Sequence, residues 1–237
     1  MREVTIGIKT FERPDALASL LASLRVYYPT VKVLVADDGT ETTKDVCRRW
    51  KATWLQMPDY DSGLAAGRNF LVQHTHTRFL ALMDDDFVLT ERTDLALLRT
   101  ELEAGDYDLV AGSLVLPTGQ EQHYEGWLWE EDGHLYALRV VSPGPTIPVM
   151  LALNFFLART DALRRTPWDP ELKVCEHEDW FWRACQDGLQ AGYCPRVVAR
   201  HERATNPDYA AHRNRTRLYR AQALAKHGWK EIVWVNA

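Results

Sequence analysis

No stretch of this 237-residue sequence approaches the ~18 uninterrupted apolar residues of a membrane-crossing helix, so none is expected. Basic tracts are missing too. The net charge is −5, which argues against nucleic acid as the main partner. Cysteine is scarce: Cys47, Cys175, Cys185 and Cys194 are the four present, and none is spaced as a metal-binding pair. Met1-Arg2-Glu3-Val4 runs directly into a strand pattern with no apolar leader. The thiols therefore read as reduced and the expected compartment is cytoplasmic, with peripheral association with a membrane surface left open. Repeats, low-complexity segments and linkers are absent, so one domain is expected over residues 1–237.

What is present is an ordinary globular composition, 46% hydrophobic and 26% charged. The chain is organised around an apolar run, Phe79 to Met83, that stops at three consecutive carboxylates, Asp84-Asp85-Asp86. A short run without glycine or proline suits a buried strand, although periodicity alone also allows a helix segment. The carboxylates then stand at the strand's C-terminal end, where open α/β sheets bind ligands. Two unit charges ~5.5 Å apart at an effective dielectric of ~20 repel by roughly 3 kcal/mol, and a divalent cation would remove that repulsion. A solvated charge run in a loop is the plainer alternative.

The first ninety residues alternate strand and helix. Val4 to Ile8 is the first strand, and a polar loop, Lys9 to Arg13, leads to Pro14 at a helix start. Leu17, Leu20, Leu21 and Leu24 make one buried stripe. Val31 to Val35 forms a second strand ending at Asp37-Asp38-Gly39-Thr40. A helix over Thr42–Trp50, a strand over Thr53–Met57 and a helix over Leu64–His74 follow. This alternation predicts a mostly parallel sheet with helices on both faces and right-handed crossovers. Residues 91–237 are less regular: a helix over Asp94–Glu103, a strand over Leu109–Leu116, and a hairpin whose arms, Gln122–Trp129 and Leu135–Val141, flank Asp132-Gly133. Then come a helix opening at Glu176, a strand over Tyr193–Ala199 ending at His201, and a basic helix over Tyr209–His227.

In order, the Lys-Thr loop, Asp37-Asp38-Gly39-Thr40, Gly67-Arg68-Asn69 and Asp84-Asp85-Asp86 resemble glycosyltransferases of the GT-A fold, family 2 type. Leu153 to Thr160, the His177-Glu178-Asp179-Trp180-Phe181 segment, and Cys194-Pro195 ahead of His201 are similar to the β-1,4-N-acetylgalactosaminyltransferases. The resemblance runs from about Val4 to about Arg220. It implies a Rossmann-like nucleotide-binding half, residues 1–90, and an acceptor-binding half, residues 91–237, with a small β-hairpin region. It further implies inverting transfer of GalNAc, GlcNAc or galactose from a UDP-sugar, with Mn²⁺ or Mg²⁺, to a hydroxyl of a glycan or other acceptor. No segment like the membrane anchor and stem of those enzymes is present, and Asp179 stands where they carry Glu.

The resemblance also implies site roles. Asp84, Asp85 and Asp86 straddle the nucleotide sugar, with Asp86, His201 and Asp84 toward the metal, which neutralises the diphosphate leaving group. Thr10 and Arg13 line the uridine, Asp37 accepts from the uracil with Asp38 beside it among the donor-binding residues, and Arg68 reaches ribose or pyrophosphate. Asp179, or Glu178 beside it, takes the acceptor's proton. Each residue has a plainer role. An aspartate before glycine needs no ligand in a turn. Arg68 on a helix can be a surface residue, and a lone histidine is commonly structural. Asp179 sits in a first helical turn, four residues before Arg183, where an ion pair is natural. A nucleotidyltransferase would need a glycine-rich phosphate loop, which Lys9-Thr10-Phe11-Glu12-Arg13 is not. An inactive nucleotide-sugar-binding module on the same fold is the remaining alternative.

Overall fold

The computed structural model describes residues 1–122, 124–140, 144–203 and 215–236. Its elements are β1 (Val4–Thr10), α1 (Pro14–Tyr27), β2 (Lys32–Asp37), α2 (Lys44–Arg49), β3 (Thr53–Gln56), α3 (Leu64–His74), β4 (Phe79–Asp84), β5 (Phe87–Leu89), α4 (Leu95–Ala104), β6 (Leu109–Val115), β7 (Glu121–Gln122), β8 (Gly126–Glu131), β9 (His134–Arg139), β10 (Ile147–Val149), β11 (Phe156–Arg159), α5 (Thr160–Arg165), α6 (Glu176–Gln186), β12 (Ala191–His201), α7 (Thr216–His227) and β13 (Glu231–Asn236).

The main sheet has the order β10-β12-β6-β11-β4-β1-β2-β3, with β5 on β12 and β7 on β6. β3, β2, β1 and β4 are parallel, as the alternation predicts. β11 enters antiparallel between β4 and β6, so β6, and β12 parallel to it, point the same way as β4. The C-terminal ends of β1, β2, β4 and β12 therefore share one edge. Register fixes the neighbours there: Lys9 lies opposite Asp84, and Thr10 opposite Asp37. After the aspartate triplet the chain doubles back as β5, antiparallel to β12, which sets Phe87 opposite His201.

Both faces of the sheet are covered, which explains why its strands read as apolar runs rather than alternations. Phe79, Ala81 and Met83 of β4 pack with Leu17, Leu20, Leu21 and Leu24 of α1. Leu80 and Leu82 pack on the other side with Leu71 and Val72 of α3. Each buried leucine of the α1 stripe contributes about 2 kcal/mol. The second core layer continues into the later part of the chain, through Leu128, Leu135, Trp180 and Trp229.

A second sheet has the order β13-β9-β8. Its hairpin turns at Asp132 and Gly133, both at positive φ (50° and 74°), the backbone that an Asp-Gly pair favours. Parallel pairing of β13 with β9 is not anticipated from the sequence; nor are β5, β7, β10 and α5, all of six residues or fewer. The predicted strand from Gln122 begins in fact at Gly126, and the part of the predicted basic helix before Arg215 lies outside the described residues. Among the described residues no helix is long and apolar enough to cross a membrane, and all four cysteines are free.

Candidate active site

The shared edge carries an open cleft of about 270 Å³, lined by Lys9, Thr10, Phe11, Arg13, Asp38 and the Gly63–Leu64 turn. The exposed ring of Tyr60 stands 5.3 Å from that of Phe11 at its rim. Gly63 has φ 93° and lies against Lys173, where a side chain would have no room.

The three aspartates diverge, and each meets a different partner. Asp84 accepts from Asn154 Nδ2 at 2.5 Å and lies 3.7 Å from the Arg68 guanidinium. Asp85 is wholly buried. It accepts from the Thr10 hydroxyl at 2.6 Å and is clasped by Arg13 through Nε at 3.1 Å and a terminal nitrogen. Asp86 accepts from Arg13 at 3.0 Å and has His201 Nε2 at 3.4 Å; its Oδ1 is buried without a hydrogen-bond partner. The mutual repulsion expected of the triplet is thus offset by two protein cations, Arg13 and Arg68. Burial pushes the Asp85 carboxyl up to about 6 against the pull of Arg13. Burial acts on Asp86 the same way, but the His201 bond and the Arg13 charge outweigh it and its carboxyl lies below the ordinary value.

Several residues expected to face the donor turn inward instead. Thr10 and Arg13 border the cleft, yet their polar groups are spent on the triplet. Asp85, saturated by them, acts as their anchor. Asp37 has no exposed surface and accepts from Gly39 N at 2.9 Å, Trp54 Nε1 at 3.1 Å and the Thr43 hydroxyl; it closes its own turn and presents no surface toward a pyrimidine. Asp38 lines the cleft but pairs with Lys9 and accepts from Gly63 N at 2.9 Å. Arg68 is 1% exposed, drawn inward between Glu176 and Asp84, with Nε and one terminal nitrogen lacking a hydrogen-bond partner.

The first turn of α6 holds the residue expected as base, Asp179. Its side chain has no exposed surface: Oδ2 accepts from Arg183 at 2.9 and 3.0 Å, while Oδ1 lies 2.7 Å from Lys226 and 2.8 Å from His227 Nε2. Burial raises its pKa, but the bonds from His227, Arg183 and Lys226 bring it down to about 2. In this arrangement both carboxylate oxygens are engaged by side chains of α6 and α7. Glu178 is half-buried, and burial together with its nearby charge pushes the Tyr124 hydroxyl well above its ordinary pKa. The neighbours that sequence reasoning passed over are Glu176, paired with Arg68, and His177, whose Nδ1 is 3.0 Å from Glu176 Oε1. An acidic residue beside a histidine at a helix start is the one sequence signal for that pair.

Among the described residues no group of three or more His, Cys, Asp or Glu side chains is arranged to hold a metal ion. Asp84, expected as a third ligand, turns its Oδ1 to Asn154 and Arg68. The Asp86–His201 pair remains, with the unpartnered Asp86 Oδ1. One hard oxygen and one imidazole fit a divalent cation whose other positions go to ligand oxygens and water. The second carboxylate of a protein-only site is what this edge lacks.

The family pattern of glycosyl transferase family 2 matches residues 5–161, which hold β1 through α3, the triplet and the start of α5. Mouse β-1,4 N-acetylgalactosaminyltransferase 2 is 37% identical over 213 residues, 86% of this chain and 40% of that protein. Human β-1,4 N-acetylgalactosaminyltransferase 1 is 36% identical over 210 residues, 84% of this chain and 38% of that protein. The chain thus spans about two fifths of the length of these relatives. In fold it is similar to the crystal structure of S. aureus TarS 1-349 in complex with UDP-GlcNAc, with TM-score 0.68, 14% identity, and 94% of this chain and 66% of that chain covered. It is also similar to mannosyltransferase PcManGT from Pyrobaculum calidifontis in complex with GDP-Man and Mn²⁺, with TM-score 0.63, 15% identity, and 96% and 63% covered. A GT-A sheet with its acidic edge, matched by the family pattern along most of its length, makes this chain a member of glycosyl transferase family 2.

Proposed function

We propose that this domain transfers an N-acetylhexosamine, or galactose, from a UDP-sugar to a hydroxyl of a glycan or other acceptor, with inversion at the anomeric carbon and with a divalent cation. The observation that carries the reading is the Asp86–His201 pair, with its unpartnered buried oxygen, at the same strand edge as the cleft. The names of the relatives favour GalNAc as the sugar, and the UDP-GlcNAc complex of a similar fold favours a uridine donor.

Asp86 and His201 would hold the cation, which supplies charge neutralisation for a departing diphosphate. The chain's own groups do the rest. Asp85 fixes Thr10 and Arg13 along the cleft wall. Arg68 and Asn154 orient Asp84, whose side chain stays 30% exposed and free to meet a sugar or ribose hydroxyl. The acceptor's proton goes to a group in the first turn of α6; with Asp179 enclosed, Glu178 is the accessible carboxylate there.

The test is release of UDP from a panel of UDP-sugars, with and without Mn²⁺ and without acceptor. Slow, metal-stimulated hydrolysis of one donor identifies it. UDP-sugar binding with no turnover on any donor or acceptor would favour the inactive binding module instead.

A further inference from the structure

The small sheet, β13-β9-β8, turns one face to the core and the other to solvent. Successive side chains of a strand alternate between the two faces. Leu128, Leu135, Ala137 and Ile232 take the inner positions and are buried. Strand register sets the outer positions in three rows: Trp127 with Leu138 and Val235, Trp129 with Tyr136 and Val233, and Glu131 with His134 and Glu231. Trp127 is 41% exposed and Trp129 36%. A hairpin with one solvated face normally reads polar on that face. Here two of the three outer rows are aromatic or aliphatic. The Trp129 and Tyr136 rings stack at 5.0 Å with 10° between their planes, which braces the indole across the strands.

Size and charge select the occupant. The face spans three strands and five residues, roughly 10 by 14 Å between backbones, or on the order of 300 Å² with its side chains. A stable dimer buries ~800 Å² on each partner, so this face alone does not hold a second copy. Its border is acidic: Glu131, Asp132 and Glu231 are all exposed. The nearest cations are turned elsewhere. Lys230 donates to the Asp132 carbonyl at 3.0 Å, and Arg139 lies over the Trp234 ring, on the inner side, at 4.5 Å. A face that rests on a lipid surface is bordered by Lys and Arg instead. A neutral sugar chain suits both features. The C–H face of a pyranose packs against an indole, and its hydroxyls donate to carboxylates. The position fits as well. On the inner side Trp234 lies 5.0 Å from Tyr124, whose ring is 5.7 Å from that of His177 at the start of α6. The outer face is thus one sheet's thickness from the helix start assigned above to the acceptor.

We infer that the outer face of the small sheet is a glycan-binding platform, which takes a neutral oligosaccharide on Trp127 and Trp129. The inference rests on the transfer reading for the source of that glycan, the acceptor; the binding itself requires no turnover. Sugar units remote from the reacting hydroxyl dock there and raise the effective concentration of the acceptor at the cleft.

The experiment is a ligand-observed NMR titration of the full chain, without donor. Chitotetraose, cellotetraose and lacto-N-neotetraose are the neutral probes. Tetragalacturonic acid, tetralysine and phosphatidylcholine–phosphatidylserine vesicles are the contrasts. Wild type is compared with W127A, W129A, W129F and the W127A/W129A double variant, whose folding is checked by thermal denaturation. At least one neutral tetrasaccharide should bind wild type, and more tightly than tetragalacturonic acid. Losing one stacked ring should raise its Kd about 3–10-fold, with W129F close to wild type and the double variant showing no saturable binding. In transfer assays the double variant should raise KM for a tetrasaccharide acceptor and leave kcat, and the rate on a monosaccharide acceptor, unchanged. Failure of all three neutral probes to bind overturns the platform, as does binding that the folded double variant retains. So does preferential binding of tetralysine or vesicles, or self-association in sedimentation, that the double variant loses. Ring-dependent tetrasaccharide binding without transfer from any donor counts against the transfer reading and upholds the platform.

Discussion

At the scale of single residues, the acidic triplet divides its work by orientation. Asp86 alone keeps a buried oxygen unpartnered, so Asp86→Ala should erase the gain in UDP affinity that Mn²⁺ confers while leaving metal-free binding nearly unchanged. Titration calorimetry at matched ionic strength decides this, and an unaltered metal response would remove Asp86 from the metal's partners. Asp179 makes the opposite forecast. Asp179→Asn leaves Arg183 and Lys226 without their anion and alters the bond to His227, and these three side chains are 13–31% exposed. A fully buried broken pair costs ~3–5 kcal/mol, and partial exposure brings the expected loss to about 1–3 kcal/mol in urea denaturation at pH 7. Turnover should stay within a few-fold. Because the folded pKa of about 2 is below the unfolded value of 3.8, this stabilisation is complete above pH 4 and fades as pH falls through 2. Wild type should therefore lose about 2 kcal/mol over that window that Asp179→Asn has already lost. The order of motifs is enough to bring Asp86 and His201 to one edge. It could not foretell that Asp179 is enclosed, since two of its three partners, Lys226 and His227, lie at the end of α7, far away in sequence.

At the scale of elements, α3 shows how a glycine serves its neighbour. A side chain at Gly67 would overlap the methylenes of Lys9, whose ammonium pairs with Asp38 in the cleft wall. Alanine is favoured over glycine within a helix by about 0.8–1.0 kcal/mol, whereas overpacking costs about 1–3 kcal/mol. Overlap wins, so Gly67→Ala should lower stability slightly and weaken UDP binding roughly tenfold as Lys9 moves. Unchanged affinity would show that the Lys9–Asp38 pair does not shape the nucleotide site. The long elements were legible because burial on both faces writes itself as apolar runs, as in Phe79–Met83, or as a four-leucine stripe, as in α1. The two- and three-residue strands have no period to read. β13 was missed for another reason: its parallel partner, β9, is far away in sequence, and nothing in Glu231–Asn236 names that partner.

At the scale of the whole molecule, Glu125 sits where the two sheets join, just before β8, and it is fully buried. Its Oε2 accepts from Tyr124 N at 3.0 Å, and Oε1 has no partner. Burial raises its pKa to about 7 from 4.5. The folded state therefore holds this proton more tightly than the unfolded chain does. The contribution of Glu125 to stability is greatest below pH 4.5, declines as pH rises, and levels off above 7, a difference of about 3 kcal/mol. Glu125→Gln should match wild type near pH 5 and exceed it at pH 8 by most of that amount, as read by urea denaturation at the two values. Equal pH dependence in both proteins would mean that Glu125 is not the group responsible.

The cage around Asp179 also sets an order in time. His227 is made 48 residues after the carboxylate it holds. At ~5–20 residues per second, that is roughly 2–10 s of synthesis during which Asp179 has only Arg183 beside it. β9 waits about twice as long for β13, whereas β1, β2, β3 and β4 acquire one another early. A nascent chain thus passes through a stage in which the parallel layer is paired and α6 is not yet braced. Pulse-labelled hydrogen exchange on refolding protein should find the amides of α6 and β9 protected after those of β1 and β4. The turn that carries His177 is then among the last parts of the molecule to become rigid.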